Sequence, residues 1–186
     1  MTGYYVGLVG SSKAGNLAYD QIKDLVLKLS GADVDPYCKV VFISGGGKGV
    51  DTTAREVCKD FDMNFVEYKP EGWGWAYLKK RDMLIAKNCD KVYSFALPFG
   101  TTIKNGEPVP KCYHCKRAGR DDNHEKTAGC YTGRMCASQD GNKINVVPQQ
   151  NHEADWGTPD YETIIIKSDY HSKADVEPYI IIKSDL

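Results

Sequence analysis

Strand-like runs at 4–9, 40–43, 64–68 and 91–96 alternate with stretches of helical spacing. That alternation restricts the chain more than any other feature. Apolar residues at Leu17, Ala18, Ile22, Leu25, Val26 and Leu29 recur with the period of one helix face, and Gly31 follows as a stop. A second helix is expected from about Thr52 to Phe61, with Thr53 and Glu56 spaced as a capping box. A third is expected over 77–88, with Leu78, Leu84 and Ile85 inward. Beyond a cysteine-rich interruption, 131–138 reads as a short helix and 143–147 as a fifth strand. Strands as apolar as 40–43, separated by helices, are buried on both faces, so the fold class is α/β, a parallel sheet with helices on either side.

A chain of 186 residues with 41% hydrophobic residues buries roughly 70% of the surface its unfolded form exposes, which suits one domain with an appendage. We place the domain at 1–147 and a C-terminal β extension at 148–186. In the extension the string IIIKSD occurs twice, at 164–169 and 180–185, and reads as two similar strands, a hairpin or an addition to a sheet edge. Such an apolar strand left open pairs with another chain, so a homo-oligomer contact belongs to this reading. The formal charge of −1 provides no global field towards nucleic acid or an anionic membrane. No apolar run reaches the roughly 18 residues of a membrane span, and the start carries no basic flank before an apolar core. The expected location is cytoplasmic, without a membrane partner.

Two motifs carry chemistry. The first, SGGGKGVDTTA (44–54), sits between a strand and a helix. Glycines there permit close backbone approach, and the free N–H groups of a helix N-terminus favour an anion, so the loop is suited to phosphate. The spelling is neither GxGxxG nor GxxxxGK[ST], since Gly49 follows Lys48. A turn needed only for tight strand-to-helix packing is the alternative. Trp73 and Trp75, in EGWGWAY (71–77), suit either stacking on a base or burial at the sheet edge.

The second motif is KCYHCKRAGRDDNHEKTAGC (111–130) followed by YTGRMC (131–136). Cys112 and Cys115 form a C-x2-C knuckle, and His124 and Cys130 follow at a spacing that suits tetrahedral zinc. His114 lies inside the knuckle, and Cys136 falls on the expected helix, so the preferred ligands are Cys112, Cys115, His124 and Cys130. An all-cysteine set with Cys136, and reduced thiols without metal, are the alternatives. Four protein ligands leave no position open for water, so the zinc would be structural. It would clamp an insertion, about 98–130, too polar to fold around its own core.

SGGGKGVDTTA resembles the SGGxxGxD signature of the SLOG superfamily, which groups the DNA-processing protein A family, the Lonely Guy phosphoribohydrolases and many nucleotide-sensing domains. VGLVGSS (6–12) is similar to that family's first strand and turn, and LKKRDMLIAKNCDKVYSFALP (78–98) to its later helix and strand. The resemblance covers about 4–147 and implies a Rossmann-like sheet with a nucleotide or nucleotide-derived molecule beyond the strand ends. It implies Gly10 and Ser11 beneath the ligand, Ser44, Gly45, Gly46, Gly47, Lys48 and Gly49 around phosphate, Arg81 as counter-charge and Thr132 on a second loop, with Asp51 capping the helix. Arg81 reads equally well as a solvated helix residue. The zinc motif, too, is similar to an insertion in SLOG-like sequences.

The Lonely Guy hydrolases carry PGGxGTxxE. Three past Thr101 stands Lys104 and three past Thr132 stands Met135, neither a carboxylate, while Glu107 and Glu125 are only nearby in sequence. The expected function is therefore nucleotide binding as a sensor or processing module, ahead of N-glycosidic hydrolysis. Single-stranded DNA binding ranks third, since Lys111, Lys116, Arg117, Arg120 and Lys126 are offset by Asp121, Asp122 and Glu125.

Overall fold

The computed structural model describes residues 2–31, 38–138 and 160–169. Five parallel strands form one sheet: β1 (Thr2–Gly10), β2 (Cys38–Ser44), β3 (Phe65–Glu67), β4 (Lys91–Ala96) and, at the far edge, β7 (Asp160–Ile165), in the order β3-β2-β1-β4-β7. Val6 lies opposite Phe42 on one side and Lys91 on the other, and Phe95 opposite Ile164. A two-stranded ribbon of β5 (Ile103–Lys104) and β6 (Glu107–Pro108) projects after β4.

Because successive strand residues face opposite ways, the apolar runs supply two cores at once. Val6, Leu8, Phe42, Tyr93 and Phe95 pack with Ile22 and Val26 of α1 (Tyr19–Ser30) and Val50 and Val57 of α2 (Val50–Asp60). Tyr5, Val9, Ile43 and Val92 face the other way, onto Ile85 of α3 (Trp75–Asn88) and Cys130 and Cys136 of α5 (Ala128–Ala137). The expected α/β sheet flanked by helices is thus what forms. Among the described residues, no helix is long and apolar enough to cross a membrane.

Several local expectations need correction. α2 opens at Val50 with Gly49 at its N-cap and no side-chain cap. Thr53 donates instead to the Gly15 and Gly49 carbonyls, and Glu56 is exposed, so the capping box does not form. Leu78 and Leu84 are 37% and 40% exposed rather than inward. The buried side of α3 is Arg81, Asp82, Ile85, Ala86 and Asn88, a partly polar face that apolar spacing alone does not reveal. The first expected helix, read from Leu17 to Leu29, opens as a tight turn, Gly15–Ala18, that leaves Leu17 half exposed. Of the first tail repeat, only Ile164 and Ile165 belong to a strand, the edge strand Asp160–Ile165 on β4, which begins four residues before the repeat. The expected strand at 143–147 and the second repeat copy lie outside the described residues.

Candidate functional site

The order in which strands are added reverses between β1 and β4: β2 and β3 extend one way from β1, β4 and β7 the other. In open parallel sheets the crevice beyond the strand ends at such a switch is where ligands sit. Here a cleft of about 670 Å³ occupies that place. Its floor is the β1 turn (Gly10, Ser11, Ser12, Lys13) and the β2 loop (Gly45, Gly46, Gly47, Lys48). Arg81, Trp73 and Leu78 form one wall, and Glu125, Lys126, Thr127 and Ala128 another. That second wall is fastened to the end of β4, since the Glu125 N–H donates to the Leu97 carbonyl (2.9 Å).

The β2 loop has its shape because side chains do not fit. A Cβ on Gly45 would lie 1.7 Å from Arg81 Nη1. One on Gly49, whose φ is +72°, would lie 2.3 Å from the Ser11 carbonyl oxygen. Asp51 accepts from the Gly47 N–H (3.0 Å), and the Thr52 hydroxyl donates to the Gly47 carbonyl (2.8 Å). Among the described residues, the N–H groups of Gly46 and Lys48 have no hydrogen-bond partner. Exposed cations at Lys13, Lys48, Arg55 and Lys126 ring the opening.

The structure brings most of the expected ligand residues to this cleft, but not all in the expected role. Ser44 is fully buried behind the loop, its hydroxyl donating to the Leu8 carbonyl (2.6 Å). Thr132 is also buried, its hydroxyl turned back to the Ala128 carbonyl (3.1 Å), and it does not line the cleft. Arg81 is at the wall but is neither solvated nor free. Its Nη1 donates to the Gly45 carbonyl (2.7 Å) and meets Asp51 (3.1 Å), while Nε stands 2.8 Å from Asp82. Burial raises the pKa of both acids, that of Asp82 to about 6, against the pull of Arg81. Arg81 is thus a strut that fixes the loop from beneath. Asp51 ties loop to strut rather than simply capping α2.

The second constellation lies beside this wall. α4 (Tyr113–Arg117) carries the knuckle, and Cys112, Cys115, His124 and Cys130 are all buried with their ligand atoms within 4.8 Å of one another. His124 Nε2 is 3.4 Å from Cys115 Sγ and 4.0 Å from Cys130 Sγ. Tetrahedral coordination with bonds of ~2.0–2.3 Å requires ligand separations of roughly 3.5–3.8 Å. The four residues therefore suit a metal ion, and the described cysteines form no disulfide. Cys136 is elsewhere, its thiol on the Cys89 carbonyl (3.3 Å).

The surroundings of the cluster match its chemistry. His124 Nδ1 lies 2.9 Å from the Glu125 carbonyl, which holds the ring with Nε2 towards the sulfurs. Hydroxyls reach the thiols from three places: Ser94 at Cys130 (3.3 Å), Thr163 at Cys115 (3.5 Å) and Tyr161 at Cys115 (3.9 Å). Burial opposes charge on His124, but hydrogen bonds to Cys112 and Cys115 prevail and raise its pKa to about 10. Hydrogen bonds with Cys112 and Cys130 push the Cys115 thiol far down. Without metal the cluster thus holds protons that a bound cation displaces.

Sequence reasoning did not find Ser94, Tyr161 and Thr163 around the cluster, nor the insertion's tie to β7, where the Arg120 guanidinium sits 4.0 Å over the Tyr161 ring and contacts Asp160. Nothing in sequence spacing brings 160–163 to a motif ending at 130. Only the pairing of β7 with β4 does so. Glu125 is assigned no role by sequence alone. It is 3% exposed, accepts from the Thr102 N–H and lines the cleft. The fold and site together define a parallel α/β protein with a glycine-lined crevice and a buried Cys3His cluster. Comparison with protein-family models, curated proteins and solved structures returned no match.

Proposed function

We propose that the chain binds a nucleotide or nucleotide-derived molecule in the switch-point cleft, in the manner of the SLOG domains it resembles, with a structural zinc ion in the Cys3His cluster. The observation that carries the reading is the β2 loop, a backbone surface backed by Arg81 and ringed by cations, with the unpartnered N–H groups of Gly46 and Lys48. Backbone donors at the start of a helix favour phosphate over neutral ligands. The test is calorimetry against AMP, ADP and ADP-ribose. Gly46→Val puts a branched side chain at φ +66°, with its Cβ 3.0 Å from the Glu67 carboxyl carbon, which forces the loop backbone out of shape, and binding is expected to be lost at every salt concentration. Lys48→Ala removes one exposed charge and weakens binding by about 1 kcal/mol, an effect that salt screens. Circular dichroism checks that both variants fold. Equal binding by wild type and folded Gly46→Val would make the loop a packing turn.

The zinc assignment rests on the donor set, three sulfurs and one imidazole with no open position. Elemental analysis of reduced, unchelated protein is expected to find about one zinc per chain. Protein prepared that way and found free of metal would reject it.

One observation favours a second reading, hydrolysis of an N-glycosidic bond. Glu125 brings to the cleft the carboxylate that Lys104 and Met135 lack. Release of free base from nucleoside monophosphates, lost in Glu125→Gln, would support it.

A further inference from the structure

A second cavity, of about 380 Å³, opens beside the Glu125–Ala128 wall and is lined by Trp75, Tyr113, His114, Lys126 and Ala128. Lys126 and Ala128 line both spaces, so the two are neighbours across one short piece of chain. The walls are aromatic. Tyr113 and His114 have ring centroids 4.0 Å apart, His114 and Tyr131 5.6 Å, and Trp75 and Tyr131 6.0 Å. His114 is 96% buried, and among the described residues its Nδ1 has no hydrogen-bond partner. Buried polar atoms of this kind are uncommon in folded proteins and call for an explanation. Trp75, by contrast, is 58% exposed, an aromatic face without a full covering.

Small-molecule pockets span about 300–1,000 Å³. The second cavity is at the low end, enough for one ring system and not for a whole further nucleotide. Its aromatic rings are the means by which proteins hold a planar heterocycle, through stacking. The junction carries Lys126, whose Nζ lies 4.7 Å from the Tyr113 ring centroid. A cation at that point suits an anionic linkage passing from one space to the other.

We propose that this cavity is a subsite for a second heterocyclic ring, and that the ligand is of the dinucleotide class: two ring-bearing ends joined through phosphate. One end and its phosphate occupy the glycine-lined cleft, the linkage passes Lys126, and the far ring lies between Trp75 and the Tyr113–His114 pair. This deepens the nucleotide-binding reading and rests on it. The insertion that carries the metal cluster also supplies Tyr113, His114 and Lys126, so it has a part in ligand choice as well as in folding.

The test compares ADP with diadenosine diphosphate, two adenosines on one pyrophosphate, by calorimetry on the full chain. The expected result is binding of both, with the dinucleotide tighter by about tenfold or more, and with that advantage lost in Trp75→Leu while ADP affinity is kept. Trp75 is half exposed at the start of α3, so its replacement leaves the fold in place. Tyr113→Leu, checked for metal content, is the second variant and should lose the same advantage. If ADP binds and the dinucleotide gains nothing, the subsite is wrong and the nucleotide reading stands. If the advantage survives in both variants, the second ring lies elsewhere and the subsite is overturned. If neither compound binds the wild type, both readings fall.

Discussion

A methyl group added at Gly45 tests the most constrained point of the fold. The new Cβ would stand 1.7 Å from Arg81 Nη1, 2.5 Å from Cζ and 2.9 Å from Asp51 Oδ2. No rotation of the methyl relieves that, so Gly45→Ala must push the guanidinium off the Gly45 carbonyl (2.7 Å) and Asp51 (3.1 Å). The side chains of Arg81 and Asp51 are only 10% and 9% exposed. A displaced charge there does not regain water fully, and breaking a buried pair of this kind costs about 3–5 kcal/mol. For a chain of this size the loss lowers the melting temperature by roughly 6–20 °C. Urea denaturation of Gly45→Ala, Arg81→Met and the double variant isolates the cause. In the Arg81→Met background the guanidinium is already gone, so adding the methyl should cost about 1 kcal/mol or less. Equal costs in both backgrounds would show that Arg81 is not the strut of this loop and would refute the reasoning.

Two further variants address metal choice: Cys136→Ser should keep its zinc and His124→Ala should lose it, as measured by elemental analysis, since only His124 lies among the clustered ligand atoms. Asp82→Asn should change the pH dependence of stability. Burial lifts the Asp82 carboxyl to about 6, above the roughly 3.9 of an unfolded aspartate, so its contribution is present at low pH and is lost as pH rises through about 6. The shift is about two pKa units, so wild type measured against Asp82→Asn should lose up to about 3 kcal/mol between about pH 4 and about pH 7 in denaturation midpoints. A flat difference would mean that Asp82 stays ionised throughout.

What the sequence discloses here depends on the length scale of the interaction. β4 is legible to the residue because an apolar run between turns has one outcome when both its faces are covered. The Cys3His set is legible because its members lie within 112–130, where spacing alone limits which side chains meet. Arg81 was the ambiguous case: its sequence neighbours do not reveal that Gly45 and Asp51, 36 and 30 residues away, enclose it. The inward face of α3 escapes local reading for the same reason, since Arg81 and Asp82 are buried there while Leu78 and Leu84, which apolar spacing points inward, are partly exposed. Tertiary ion pairs make polar residues interior, and no local pattern reports them.

The placement of the cysteine cluster follows from what the insertion lacks. Between β4 and α5 the buried side chains are chiefly Leu97, Cys112, His114, Cys115, His124, Glu125 and Thr127, too few of them apolar to hold a chain segment by burial. Ligand atoms within 4.8 Å of one another would supply a cross-link once a metal ion is bound, and hydroxyls from Ser94 and Thr163 tie the cluster to neighbouring strands. Residues 125–127 run between two of those ligands, His124 and Cys130, and they are also a wall of the cleft. A loop pinned at both ends by one metal centre would have little freedom left to lose if a ligand settled against it. On the proposed reading, a metal-loaded cluster would lower the ordering entropy that this wall otherwise costs when a ligand binds.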